Sequence, residues 1–268
     1  MKYGLYLGNQ GELAHPRRFA ETAALAEAAG WDGMFTWDHL VSWVNPVVDP
    51  WVQVSAAATV TERITLGVLV AAVPRRRPWK LALEAASVAL LSDGRFVLGA
   101  GIGSAPDLMR FGEEGSAARR NHLFDEALPL VRRFLDGRVV SHRGAHFAVD
   151  EVQLASPDAP RVPIWVGGNW PRRTAFRGLD CADGVFPVKP LRAAPFFEPL
   201  TPEEVREVRA TLPSEVREFV VWSRGAIDPL SRARAAEYDA AGATWWLEDT
   251  WRVAPDEVLA RVEAGPPR

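Results

Sequence analysis

Eight times along the chain, a short apolar run is followed by a segment of helical spacing, and that alternation limits the fold more than any other feature. The apolar runs are Tyr3–Leu7, Gly33–Trp37, Ile64–Val70, Phe96–Ala100, Pro163–Val166, Gly184–Pro187, Glu218–Trp222 and Ala243–Leu247. Ile64–Val70 is rich in β-branched and apolar residues, as a strand buried on both faces should be. Most of the helices between them open on proline or a capping residue, which suits the free N–H groups of a first turn. They are expected at Pro16–Ala29, Asp49–Thr61, Pro78–Leu91, Ala117–Leu135, Pro171–Leu179, Thr201–Leu212, Ser231–Ala241 and Pro255–Ala264. Pro129 should cost the fourth long helix a hydrogen bond and bend it. Thr201 and Glu204 have capping-box spacing.

Alternating strands and helices imply a parallel sheet covered by helices. Eight units in 268 residues, with no break in composition, predict a closed barrel, a fold of typically about 250 residues. A doubly wound open sheet would carry a glycine fingerprint after its first strand, and Leu7-Gly8-Asn9-Gln10 is not one. Val139–Val149, turning at Arg143-Gly144, reads as a β-hairpin added outside the pattern. The expectation is α/β: a single-domain (β/α)8 TIM barrel over residues 1–268, with a short β-hairpin insertion after the fourth helix.

Composition narrows the function. A net charge of −3 with scattered arginines makes no case for nucleic acid. A single cysteine, Cys181, allows no disulfide within the chain. The apolar N-terminal run is too brief for a signal peptide, and no stretch reaches the ~20 apolar residues of a membrane span. A cytoplasmic protein is expected. Eleven tryptophans is a high number for this length, and Trp37, Trp43, Trp170, Trp222, Trp246 and Trp251 fall near strand ends. They are either core residues or the walls of a pocket for a flat, apolar ligand.

The chemistry of such barrels lies at the C-terminal ends of the strands. Those ends carry Asn9 and Gln10, Trp37-Asp38-His39, Val70 to Arg77, Gly99 to Ser104, Gly167-Gly168-Asn169-Trp170, Lys189, Ser223-Arg224 and Glu248. No nucleophile elbow is present, and no set of histidines and carboxylates has metal-ligand spacing; His142 and His146 face each other across the hairpin. No metal is expected. Gly167-Gly168-Asn169-Trp170-Pro171 ends a strand and opens a helix, a combination suited to a phosphate because free N–H groups and the helix dipole favour an anion. An ordinary turn that needs glycine remains the alternative. His39 has the residue type for moving a proton near neutral pH, beside Asp38, which more naturally caps the loop. Arg75, Arg76 and Arg77 either steer an anionic tail or form a solvated run. Glu248 faces either the pocket or a neighbouring arginine.

Several stretches, in this order, resemble the luciferase-like (bacterial luciferase-type) flavin-dependent oxidoreductase and monooxygenase superfamily. They are Ala28-Ala29-Gly30-Trp31-Asp32-Gly33 leading to Trp37-Asp38-His39-Leu40, and Ile64 to Val70. They continue in Leu91-Ser92-Asp93-Gly94-Arg95-Phe96 to Gly101, Val162-Pro163-Ile164-Trp165-Val166-Gly167-Gly168, and Ala182-Asp183-Gly184-Val185-Phe186-Pro187. The resemblance implies a flavin cofactor, either FMN or the deazaflavin coenzyme F-420, and His39 as the catalytic residue at its reactive face. It implies cofactor contacts from Leu69, Val70, Ala71, Gly101, Ser104, Gly167, Gly168, Asn169 and Trp170, and a non-proline cis peptide at Leu69–Val70. Ile102 stands where deazaflavin-dependent sugar-phosphate relatives place a glutamate, which argues against that substrate, and the stretch after strand seven is short.

The implied function is flavin-dependent oxidation or reduction of a small-molecule substrate, by monooxygenation or deazaflavin hydride transfer, in a homodimer. Exposed Arg172, Arg173 and Arg177 tilt the choice toward the deazaflavin. A degenerate flavin-binding barrel without turnover is the alternative. An aldolase or isomerase without flavin is a third reading, with Lys189 as the only candidate Schiff-base lysine near a strand end.

Overall fold

A computed structural model describes residues 1–41, 46–155, 158–171, 176–190, 197–223, 229–251 and 253–268. The eight expected strands are all present and all parallel: β1 (Lys2–Leu7), β2 (Gly33–Thr36), β3 (Thr65–Ala72), β4 (Phe96–Gly101), β7 (Ile164–Asn169), β8 (Gly184–Pro190), β10 (Glu218–Ser223) and β11 (Trp245–Asp249). They run in the order β10-β11-β1-β2-β3-β4-β7-β8, and β8 pairs with β10 to close the ring. The (β/α)8 barrel expected from the alternation is the observed fold. A two-residue strand, β9 (Phe197–Glu198), adds antiparallel to β8. The expected hairpin is also present, as β5 (Val140–Arg143) and β6 (Ala148–Val152).

The helices are α1 (Pro16–Ala28), α2 (Pro50–Ala58), α3 (Pro78–Leu91), α4 (Ala105–Met109), α5 (Ala117–Leu135), α6 (Pro202–Arg209), α7 (Pro229–Ala240) and α8 (Pro255–Ala264). Proline opens seven of them within the first two positions, where its missing N–H would have had no partner. The Asp49 side chain caps α2 by accepting the N–H groups of Trp51 and Val52 at 2.8 and 3.3 Å. Thr201 and Glu204 form the expected capping box on α6. The second helix stops at Ala58, short of the Thr61 end that its spacing predicts; the Thr61 hydroxyl bonds back to the Ala57 carbonyl at 2.8 Å. The fourth long helix, α5, is one unbroken element through Pro129. Pro129 is exposed, so water can take the carbonyl bond the proline leaves unmade. From α5, Glu126 accepts from the backbone N–H groups of His146 and Phe147 at 2.9 Å each, pinning the hairpin to the barrel.

One expected helix differs. Residues 172–175 of the Pro171–Leu179 helix lie outside the described residues. Beyond them Arg177 and Gly178 form a turn, with Gly178 at φ 77°, and a short 3-10 turn spans Leu179–Cys181. Gly178 ends any helical path there, because that φ is left-handed. The α4 segment was not anticipated.

Packing forms an inside and an outside. Phe35, Leu69, Val97, Trp165, Phe186, Val220, Trp222, Trp245 and Leu247 fill the barrel, with Phe35, Trp165 and Trp245 clustered in tilted and edge-to-face contacts at ring separations of 5.4 to 5.5 Å. The opposite strand faces meet the helices through residues such as Leu98, Ile164 and Trp246 on one side and Leu5, Met34 and Leu66 on the other. This layer of aromatic rings seals the barrel below its C-terminal mouth. No described helix is long and apolar enough to cross a membrane.

Candidate active site

Strand alternation decides which side chains reach the mouth. Tyr6 follows Gly4 on the interior face of β1, and its ring meets Trp37 at 5.8 Å and Phe186 at 5.6 Å. Its hydroxyl donates to the Leu69 carbonyl. Burial, and then the Asp249 charge, push the Tyr6 phenol well above its ordinary pKa, so it stays a neutral donor. Trp37 continues the wall, lying 5.7 Å from the His39 ring and 5.1 Å from Trp251. Trp222 and Trp37 thus line the interior, whereas Trp246 belongs wholly to the core outside the strands. Trp170 packs against that same outer core, and Trp43 lies outside the described residues.

The end of β3 departs from regular pairing. Its register with β4 shifts between Val68 and Ala71, and the Leu69–Val70 peptide is cis, as the family resemblance implied. Val70 leans across the mouth. A Cβ on Gly101 would come within 2.5 Å of Val70 Cγ2, and one on Gly167 within 2.8 Å of its Cγ1. Both positions therefore need glycine to make room for Val70, a role that nothing in the local sequence signals. Ala71 is buried in the outer core, and Ser104 caps the start of α4 through its backbone.

Asp38 points away from the barrel axis and fixes this bend. Its Oδ2 accepts the Ala72 N–H at 3.0 Å, and Arg76 Nη2 donates to its Oδ1 at 2.8 Å. His39 follows at the mouth, with Asn9 Nδ2 donating to its carbonyl at 2.7 Å. Its side chain is 30% exposed, and Asp107 Oδ2 lies 3.9 Å from Nδ1. Burial lowers the His39 pKa below its usual value; Asp107 and Asp38 oppose that shift and Arg75 adds to it. The imidazole is thus held toward its neutral form, able to accept a proton at neutral pH.

The residues expected at a phosphate end β7. Gly167, Gly168 and Asn169 pair with Phe186, Pro187 and Val188 of β8, and the Trp170 N–H donates to the Val188 carbonyl at 2.8 Å. The Trp170–Pro171 peptide is cis. Arg172 and Arg173 lie outside the described residues.

Other candidates are placed elsewhere. Arg75 and Arg76 are not free cations for an anionic tail. Arg75 binds Glu113 at 2.7 Å and Asp107 at 3.2 Å with its side chain 8% exposed, and Arg76 binds Asp38 and Glu84. Arg177 pairs with Asp125. Lys189 points outward to Glu204 at 3.0 Å, which removes it from any Schiff-base chemistry inside the barrel. Leu247 belongs to the barrel interior, so alternation turns Glu248 outward and Asp249 inward. His142 accepts or donates to Glu126 at 2.9 Å, and no group of three or more potential metal ligands occurs among the described residues. Tyr6, Asp249 and Asp107 were missed. Tyr6 and Asp249 carry a signal, since each alternates with interior residues of its own strand; Asp107 sits in a segment with no periodicity.

Comparison with known proteins places these features. The family model described as luciferase-like monooxygenase matches residues 1–211. An F420-dependent glucose-6-phosphate dehydrogenase of Microbacterium testaceum is 29% identical over 170 residues, covering 61% of this chain and 50% of that protein. An F420-dependent hydroxymycolic acid dehydrogenase of Mycobacterium tuberculosis is 29% identical over 171 residues, covering 60% and 46%. The chain thus spans about half the length of the curated relatives it matches. Among solved structures, an F420-dependent secondary alcohol dehydrogenase in complex with an F420-acetone adduct superposes with a TM-score of 0.76 at 17% identity, covering 99% of this chain and 98% of that one. The oxygenating constituent of 3,6-diketocamphane monooxygenase from Pseudomonas putida, in complex with FMN, gives 0.57 at 18% identity, covering 91% and 64%.

Proposed function

The chain belongs to the luciferase-like monooxygenase family, and from that premise we propose that it is a flavin-dependent oxidoreductase acting on a small organic substrate, with the deazaflavin coenzyme F420 favoured over FMN. The observation that carries this reading is the position of His39. It stands at an aromatic-walled mouth, biased to its neutral form, within one residue of the Asp38 bond that holds the irregular end of β3. A tricyclic ring laid across Leu69, Val70 and Ala71 would have an apolar bed of Val70 and tryptophan edges on one side and His39 at its reactive centre.

The residues present fit such a group. Gly101 and Gly167 leave Val70 its place under the ring, and the glycine-rich end of β7, with Asn169 and Trp170, offers backbone to a phosphate. Ser104 lies at the next strand end. When bound, the cofactor supplies the hydride or the oxygen chemistry. The protein's part is to orient it, exclude water with Tyr6, Trp37 and Trp222, and let His39 accept or return the substrate proton at its ring nitrogen.

The preference for F420 rests on the relatives named above, since Arg75, Arg76 and Arg177 are committed to carboxylates. A single domain over residues 1–268, a cytoplasmic location and a homodimer complete the proposal. The dimer is supported by exposed Leu83 and Leu90, 46% and 59% accessible, which lie two turns apart on one face of α3.

A titration of tryptophan fluorescence with F420 and with FMN, each oxidised and reduced, tests the reading. Tighter binding of F420 is the expected result. A preference for reduced FMN would move the assignment to monooxygenation, and no binding of either in any state would overturn it.

A further inference from the structure

The peptide unit that joins His39 to Leu40 is gripped from both sides. Its carbonyl oxygen accepts from Asn9 Nδ2 at 2.7 Å. Its N–H, that of Leu40, donates to the Asp107 carboxylate at 3.1 and 3.3 Å, and the next N–H, of Val41, donates to Asp107 Oδ1 at 2.6 Å. Both gripping side chains are buried, Asn9 at 0% and Asp107 at 5% exposure. Each has its own anchor. Asn9 also donates to the Val48 carbonyl at 3.0 Å; Asp107 takes Arg75 Nη1 at 3.2 Å, and Glu113 holds Arg75 at 2.7 Å.

We propose that Asn9 and Asp107 are positioning residues for His39, Asn9 by fixing its backbone and Asp107 by fixing its backbone and biasing its charge state. The inference rests on the reading of His39 as the proton-handling group. β2 ends at Thr36, so His39 and Leu40 have no ladder hydrogen bonds to hold them. A buried backbone unit without partners is costly, and here two side chains distant in sequence, Asn9 after β1 and Asp107 on α4, supply them. With the peptide plane fixed, only the two side-chain torsions of His39 remain to be set. Among the described residues, the charged groups that act on the ring come from three segments. Asp107 on α4 and Asp38 in the loop after β2 favour the imidazolium, and Arg75 after β3 disfavours it.

The two residues therefore have separable effects. Asp107 carries charge and Asn9 does not. If they served only to close the loop, both substitutions would loosen it alike and neither would act through charge.

The experiment is an NMR titration of the ligand-free chain with labelled histidine, the His39 signal being picked out from those of the five histidines by a His39→Gln variant. Amide exchange at Leu40 and Val41 is read on the same samples. Asp107→Asn should move the His39 titration to lower pH, and Asp107→Glu should return it toward the wild type. Asn9→Ala should speed exchange at Leu40 at least tenfold while leaving the His39 midpoint in place. Arg75→Met, which removes the opposing cation, should move the midpoint up, and it keeps the test open if Asp107→Asn does not fold. An unchanged midpoint in Asp107→Asn, or an equal shift in Asn9→Ala, would overturn the inference. Failure of wild-type chain to bind FMN or F420 would instead overturn the functional reading, and the titration would still decide the positioning.

Discussion

Arg76 and Asp38 form a buried pair, Nη2 to Oδ1 at 2.8 Å, that ties the end of β2 to the turn after β3. The pair belongs to a larger arrangement, since Asp38 also accepts the Ala72 N–H and Arg76 lies 5.3 Å over the Trp51 ring. The Asp38 side chain is 1% exposed and that of Arg76 16%. Asp38→Ala would leave the Arg76 guanidinium with Glu84 as its remaining carboxylate and take the acceptor from the Ala72 N–H, in a nearly dry place. Breaking one side of such a pair costs about 3 kcal/mol or more, so the urea midpoint should fall sharply. A fall no larger than for an exposed control such as Arg18→Ala would show that water replaces the carboxylate.

The depressed pKa of His39 has a consequence for acid stability. Burial makes the folded state bind its proton less readily than the unfolded chain, whose value is 6.5. Its contribution is present above that value and is lost as the pH falls through the lower folded value. Wild-type protein should therefore lose more of its urea midpoint between about pH 7.5 and about pH 5 than His39→Gln does. Equal losses would mean that His39 titrates alike in both states.

Fold and site were legible to different degrees. Val68 and Leu98 lie in short apolar runs, and Pro16, Pro78 and Pro255 open helices, so the barrel could be read from local signals alone. His39 and the β3 end were legible through the family resemblance. Asp107 was not, because its role depends on β4 turning back toward the loop after β2, a contact across 67 positions of sequence. Arg75 and Arg76 misled for a related reason. A run of arginines looks solvated, and only the fold brings Asp38, Glu84, Asp107 and Glu113 against it. Gly101 and Gly167 were marked for a ligand, whereas the neighbour that requires their small size is Val70.

Gly168 tests the phosphate end. It lies between Gly167 and Asn169 at the end of β7, paired with Pro187. Gly168→Asp brings a carboxylate to the backbone proposed to face a phosphate. Affinity for F420 or FMN should fall at least tenfold, ~1.4 kcal/mol, with circular dichroism unchanged. Undiminished affinity in a folded variant would place the phosphate elsewhere.

The contact between Gly101 and Val70 gives the most specific prediction for the ring end. A Cβ at Gly101 would stand 2.5 Å from Val70 Cγ2, far inside van der Waals contact, so Gly101→Ala must displace the valine. On the β7 side Val70 already lies close to the Gly167 backbone, where an added Cβ would stand 2.8 Å from Val70 Cγ1, so little room is left for retreat that way. The displaced side chain has to rise into the mouth, where the cofactor ring is proposed to lie. Overpacking of this kind typically costs about 1–3 kcal/mol, which a barrel of this size can absorb while the site cannot. Gly101→Ala should keep its circular dichroism and bind F420 and FMN at least tenfold more weakly. Val70→Ala alone should bind within a few-fold of wild type, and the double variant Gly101→Ala/Val70→Ala should recover most of the lost affinity, because the added methyl then occupies the volume the valine gave up. Rescue would place the ring against Val70. Equal weakness in the single and double variants would mean that the Gly101 methyl obstructs the ligand directly, and that Val70 is not its bed.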